Sequence, residues 1–271
     1  MATEPFALHA TGARGRRPRT VIAVILVGVL LVLLALLERE LVGHAHNVTL
    51  GALVTWAPAL VKALCVNIEI SLLAIALGTA AGLALGPLLL SPLRIVRVPA
   101  RVYVQVFRNA PLLVLIYFST YVFPFEIALG HHALPFPDWF KVTLGLALPA
   151  SASVAEIFRG AIQSIPHAQW DAARSLAFSR AQVFRWIILP QCVKRMLPPW
   201  MNLYASITMG TALASLVGVH DLLDTAQVAS NTVARADFTV LVYFTVLGLF
   251  FVYCYPIARF TRRLEKRYAF S

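Results

Sequence analysis

Residues 170–191, WDAARSLAFSRAQVFRWIILPQ, place Asp171, Arg174, Arg180 and Arg185 within a chain that is otherwise largely apolar. The block is patterned as two helices. Pro166 stands at the start of the first, and "AFS" interrupts the run. Ser179 followed by Gln182 fits a capping box, so a second helix starts there. Ile187, Ile188 and Leu189 lead that helix into apolar sequence, and Pro190 is expected to bend or interrupt it. A simple connection between two spans needs neither helix, whereas a surface that docks a soluble partner needs both.

The sequence on either side of the block defines its setting. The chain has 271 residues, 59% of them hydrophobic and 13% charged, and a mean hydropathy of +0.77. Water-soluble domains of this size rarely have such a composition. Residues 20–37, 196–220 and 238–258 are free of Asp, Glu, Lys and Arg, and each is long enough to cross about 30 Å of hydrocarbon as a helix. Residues 63–91 are apolar apart from Glu69 and Lys62 lies just before them; residues 109–125 are uncharged; residues 142–158 are small and carry Glu156 near their end. The expected fold is therefore an all-α integral membrane protein with about six transmembrane helices.

The formal net charge of +11 would ordinarily raise nucleic acid as a partner. Here the charges follow membrane topology instead. With the N-terminus in the cytoplasm, all of the 23 basic residues except Arg39, Lys62, Lys141 and Arg235 fall on the cytoplasmic side. Both termini are then cytoplasmic, as the positive-inside rule requires. The basic stretch before residue 20 resembles a signal-peptide n-region, but the apolar run is long and no A-x-A-like site follows, so a retained anchor is expected. Cys65, Cys192 and Cys254 are too dispersed to imply a disulfide framework or a metal site. His131 and His132 adjoin on a loop without further ligands at suitable spacing.

Smaller features refine the outline. Pro87, Pro92 and Pro99 are expected to break the helix that ends the 63–91 span, leaving 94–108 as a basic interfacial element. Pro111 suits the first turn of the next span. Residues 123–139, FPFEIALGHHALPFPDW, read as an outside loop. Ser151, Ala152, Ser153 and Ala155 are small enough for close helix approach, which places 142–158 inside the bundle.

At residues 155–191, AEIFRGAIQSIPHAQWDAARSLAFSRAQVFRWIILPQ, the chain closely resembles the cytoplasmic EAA loop of ATP-binding-cassette importer permeases, in the branch that takes up polar amino acids. Asp171, Ala172 and Ala173 stand at the E-A-A, and Ile188, Leu189 and Pro190 at the I-L-P. Residues 107–113, FRNAPLL, and 202–223, NLYASITMGTALASLVGVHDLL, resemble further family stretches. The likeness covers roughly residues 59–260. It implies a basic cytoplasmic N-terminus at 1–19, an added anchor helix at 20–37, a five-helix permease domain at 59–260 and a basic tail at 261–271. It also implies a coupling loop at 159–190 that includes Gly160, Asp171, Ala172, Ala173, Arg174, Ala177, Ile188, Leu189 and Pro190.

In that family the short helix of the loop fits a cleft on an ATPase subunit. Closure of two ATPases on ATP drives paired permeases between inward- and outward-facing states, and a periplasmic solute-binding protein delivers the amino acid across the inner membrane. The residues agree with this division of labour. No G-x-x-x-x-G-K-[ST] occurs in the chain, so it has no P-loop for ATP, and ATP belongs to the partner. No enzyme activity, metal or cofactor is expected of the chain itself. Ala172 and Ala173 suit a close-packed docking face, and Asp171 can pair with Arg174.

The chain departs from the family pattern at several points. Asp171 replaces Glu, Ala177 stands where glycine is usual, and Ala110 stands where threonine is usual. Alanine at a positive φ would cost about 1 kcal/mol. Met209 and Gly210 stand where a charged pair commonly precedes the T-S-L of the late span, which leaves the choice of substrate and of an identical or sister permease open.

Polar groups inside spans are expensive and mark candidate substrate paths. They are Glu69 and Asn67 in the second span, Glu156 in the fourth, and Asn202, Ser206, Thr208, Thr211 and Ser215 in the fifth. Glu156 and Arg159 are spaced for an ion pair. Serine and threonine in such helices also bond back to their own chain. Residues 218–227, GVHDLLDTAQ, read as a short external gate helix whose Asp221 and Asp224 face either a binding protein or solvent. The principal alternative function is a secondary transporter driven by an ion gradient, which favours inverted repeats; none is evident. A membrane-embedded enzyme would need converging catalytic groups, and none converge.

Overall fold

The computed structural model describes residues 45–129 and 132–268. By internal contacts the chain divides into Met1–Ala52 and Leu53–Ser271. The anchor expected at 20–37 and the basic stretch 1–19 lie outside the described residues. The first described helix, α1 (Ala45–Leu89), is followed by α2 (Arg94–Asn109) and α3 (Leu112–Val122). A β-hairpin, β1 (Glu126–Leu129) and β2 (His132–Pro135), leads into α4 (Asp138–Gln163) and the short α5 (His167–Ser175). The long helix α6 (Arg180–Val217), the helix α7 (Leu222–Val233) and the last helix α8 (Ala236–Tyr268) complete the described chain.

Three of these helices are long and apolar enough to cross a membrane alone: α1, α4 and α8. Two bent pairs, α2 with α3 at 107° and α6 with α7 at 48°, raise the number to as many as five if each pair is counted as one span. The chain is a multi-pass membrane protein, and the helical class expected from its sequence is the class observed, with one hairpin added. The hairpin is antiparallel, pairing Glu126 with Pro135 and Leu129 with His132. It occupies the proline-rich segment read from sequence as a loop. His131 lies outside the described residues.

Some boundaries differ from the sequence reading for local reasons. The span expected at 109–125 is not one straight helix. α3 has 11 residues, about 16 Å of rise, too short to cross alone. Pro111 caps it and the chain turns sharply there. Pro87 sits in the last turns of α1, and Pro99 lies inside α2, not at a break; the break is at 90–93, around Pro92. The basic tail expected from 261 begins as helix, since α8 runs to Tyr268.

The small-residue helix α4 lies at the centre, as its composition predicts. Its most apolar window is 56% buried, against 11% for that of α8. Helix α1 approaches it closely through three glycines. A Cβ on Gly78 would lie 2.5 Å from Ala150 Cβ, on Gly82 2.6 Å from the Ser151 carbonyl oxygen, and on Gly86 2.5 Å from the Phe158 ring. Glycines four apart form one stripe on a helix, and here the stripe lets backbone meet backbone. Around it pack Ile70, Ala74, Ile116, Val142, Leu146 and Ile207. At the other end of α4, Lys141 is fully buried, 3.0 Å from Asp138 and 3.9 Å from the Phe125 ring centroid. A buried ammonium needs both an anion and a π face or hydrogen bonds. These contacts tie the hairpin's approach to α4.

Candidate functional site

The charged block folds as its caps dictate. Ser179 Oγ accepts from the Gln182 amide and Gln182 Oε1 accepts from the Ser179 amide, at 3.4 and 2.8 Å. This is the expected capping box, and it opens α6. Pro190 does not interrupt that helix. Residues Val183–Ile188 widen into a π-helical stretch, the Leu189 amide bonds back to the Phe184 carbonyl, and Pro190 enters the first turn of the α-helical part that follows. A π-bulge absorbs a residue that has no N–H to give the ladder.

The block has a small core of its own. Ala161, Ile165, Ala173, Val183, Ile188 and Cys192 are buried together, with Trp170, Phe178 and Ile187 packed on them. Ala173 is only 2% exposed, so it faces this core and not a docking surface as the sequence reading had it. The outward face of α5 carries Ala168, Asp171, Ala172 and Ser175, followed by Leu176, which is 70% exposed. Asp171 and Arg174 approach to 3.7 Å on the open surface, where such a pair adds little stability. Ala177 keeps a φ of +58°. The turn is therefore retained in a glycine-like conformation, and alanine bears the strain there.

The candidate path residues separate into four settings. Glu156, Asn202 and Ser206 line one cavity of about 660 Å³, together with Arg108, Ser153 and Gly160. Glu156 is held by Arg159, whose Nε donates to its carboxylate at 3.0 Å, the ion pair its spacing predicts. Asn202 donates to Glu265 at 3.2 Å. Thr208, Thr211 and Ser215 bond back to the carbonyls of Tyr204, Thr208 and Ala212, the helix-internal option for such residues.

Asn67 is fully buried and acts as a pin. Its Nδ2 donates to Thr211 Oγ1 at 3.1 Å and Asp221 Oδ2 at 3.0 Å, and its Oδ1 accepts from the Leu222 amide at 2.9 Å. Asp221 also caps α7 by accepting from the Asp224 amide at 2.9 Å. Asp221 is therefore interior and presents no face to a partner. Asp224 is taken by His220 at 2.8 Å. The sequence reading missed this three-element pin because its members are 144 and more residues apart.

Glu69 projects from α1 among Cys65, Ile68, Leu72 and Leu73. It enters none of the ion pairs among the described residues. Met209 is 59% exposed. Gly210 is buried under α3, where a Cβ would lie 2.7 Å from Leu112. A side chain at 210 would have to displace the tip of Leu112.

Comparison with known proteins adds the following. Residues 74–269 match the family described as binding-protein-dependent transport system inner membrane component. The probable amino-acid ABC transporter permease protein YckA of Bacillus subtilis is 32% identical over 212 residues, 78% of this chain and 90% of that protein. The histidine/lysine/arginine/ornithine transport system permease protein HisM of Salmonella typhimurium is 34% identical over 179 residues, 65% of this chain and 75% of that protein. A crystal structure of an amino acid ABC transporter with histidines superposes with a TM-score of 0.69 at 26% identity, covering 79% of this chain and 96% of that one.

Proposed function

The chain belongs to the binding-protein-dependent transport system inner membrane components, and from that premise we propose that it is the permease subunit through which an ABC importer moves a polar amino acid across the inner membrane. ATP is hydrolysed in a separate ATPase subunit docked on α5. A second permease, identical or sister, completes the path, and a periplasmic solute-binding protein delivers the substrate.

The observation that carries this reading is the mechanical continuity of the block. Ala172, Ser175 and Leu176 offer an exposed face of small and apolar groups beside the Asp171 carboxylate. On the opposite side of the same helix, Ala173 packs with Ile188 and Cys192 of α6. A push on α5 therefore moves α6. Further along, α6 presents Asn202 and Ser206 to the cavity, and beyond Gly218 it turns into α7, which Asn67 ties to α1. One rigid lever thus links the docking face to the cavity wall and the gate helix. Glu69 supports the second permease. A carboxylate on an apolar helix face is costly against lipid, and a partner chain or an aqueous path beside α1 removes that cost.

The test is copurification of the tagged chain from its native membrane. The wild type is expected to retain an ATPase subunit. Ala172→Arg is expected to lose it while keeping the thermal stability of the wild type, because residue 172 touches no core. Ala173→Arg would instead disrupt the block's interior and does not separate docking from folding. Absence of any ATPase from the wild-type sample overturns the reading, as does uptake that follows an ion gradient and ignores ATP.

A further inference from the structure

Helix α2 has three faces. One packs into the bundle through Ala100, Val104, Tyr103 and Phe107, against Leu85 and Leu89 of α1 and Ala152 and Ala155 of α4. A second is aliphatic and bare: Ile95 is 82% exposed, and Val98, Val102 and Val106 are each more than half exposed. These four recur at helical spacing, as one stripe. Between the two runs a third face of Arg94, Arg97, Arg101 and Arg108. Arg101 and Arg108 border a cavity of about 440 Å³ with Gln105, Asn109, Glu156 and Arg159. The single carboxylate there is already occupied by Arg159. None of the ion pairs among the described residues uses an arginine of α2.

We infer that α2 is a binding site for an anionic phospholipid, with the phosphate held by Arg101 and Arg108 and the acyl chains lying along Val98, Val102 and Val106. α2 stands at 107° to α3, so it does not continue the line of that helix. A basic stripe beside an aliphatic stripe is the pattern of a helix lying at the headgroup boundary. Free phosphate would satisfy the arginines but leave the aliphatic stripe uncovered. A second copy of the chain would cover the stripe but, with 12 acidic against 23 basic residues, brings no acidic surplus to the arginines. An anionic lipid satisfies both faces at once.

The experiment uses the full complex in nanodiscs of phosphatidylcholine doped with photoactivatable phosphatidylglycerol or, in parallel, photoactivatable phosphatidylcholine. Labelled peptides are mapped by mass spectrometry. Phosphatidylglycerol is expected to label 94–109 preferentially. Arg101→Gln with Arg108→Gln is expected to reduce that preference roughly 30-fold, the effect of two basic residues at an anionic surface. Arg262→Gln with Arg263→Gln on α8 is expected to leave it unchanged. Should the first pair fail to assemble, Arg94→Gln with Arg101→Gln is expected to reduce the preference in the same direction. Equal labelling by both lipids overturns the site. So does loss of the label on adding inorganic phosphate at matched ionic strength, which would make it a free-anion site. Crosslinking of Val102→Cys to a second copy, with no lipid label on α2, also overturns it.

Discussion

The charged block around α5 and the α1–α4 interface both hold one helix against another, by opposite means. The block uses a handful of apolar side chains, a capping box open to water and an alanine strained at positive φ. The interface uses glycines, so that backbones touch without side chains between them. Water explains the difference. At the block, polar backbone groups at helix ends can bond to solvent, and burial of Ala173, Ile188 and their neighbours drives packing. Within lipid no such driving force exists between helices, and close van der Waals contact takes its place. The Asn67–Asp221 pin follows the same logic, since a polar group inside the bundle must find its partner in the protein.

Substitutions can break this comparison, beginning with the interface. Gly82→Leu drives a side chain into the Ser151 carbonyl and Val154, and is expected to cost about 3 kcal/mol or more, since backbone cannot yield. Thermal unfolding in detergent should show it, while the same kind of enlargement on the exposed face of α5, Ala168→Leu, should change nothing. Next comes the pin. Asn67→Leu removes one donor each from Thr211 and Asp221 and the acceptor for the Leu222 amide. A loss of about 2–3 kcal/mol is expected, with hydrogen exchange rising first in α7.

The block should respond more weakly. Ala177→Gly relieves the positive φ and is expected to stabilise the turn by about 1 kcal/mol or less, part of the gain being offset by unfolded-chain entropy. Slower amide exchange over 173–182 would register it, and a faster rate would show that the turn is not strained. Smallest of all, Asp171→Asn removes the exposed pair with Arg174 and is expected to shift stability by less than about 0.5 kcal/mol. A larger loss of ATPase copurification than of stability would assign Asp171 to docking.

Much of this was legible in the residues. Spans appear as long uncharged runs because hydrocarbon tolerates nothing else. Ser179 and Gln182 announce a helix start because a cap is a local device. The small residues of α4 foretold its central place, and Glu156 found Arg159 because three residues along a helix bring side chains together. Gly78, Gly82 and Gly86 recur at helical spacing, but that spacing alone does not say what they meet, and it is the structure that sets the stripe against α4.

What the tertiary structure alone decided is which side each residue faces and what lies opposite. Ala172 and Ala173 are identical in chemistry and adjacent in sequence, but one is on the surface and the other in the block's core. Asn67 and Asn202 are both polar groups in spans, but one is a buried pin and the other lines a cavity. Pro190 signalled a break and received a π-bulge instead. Local sequence determines helices, caps and membrane spans through forces that act within a few residues or against the solvent. The place of Asn67 depends on partners more than a hundred residues away, and only the packed bundle brings them together.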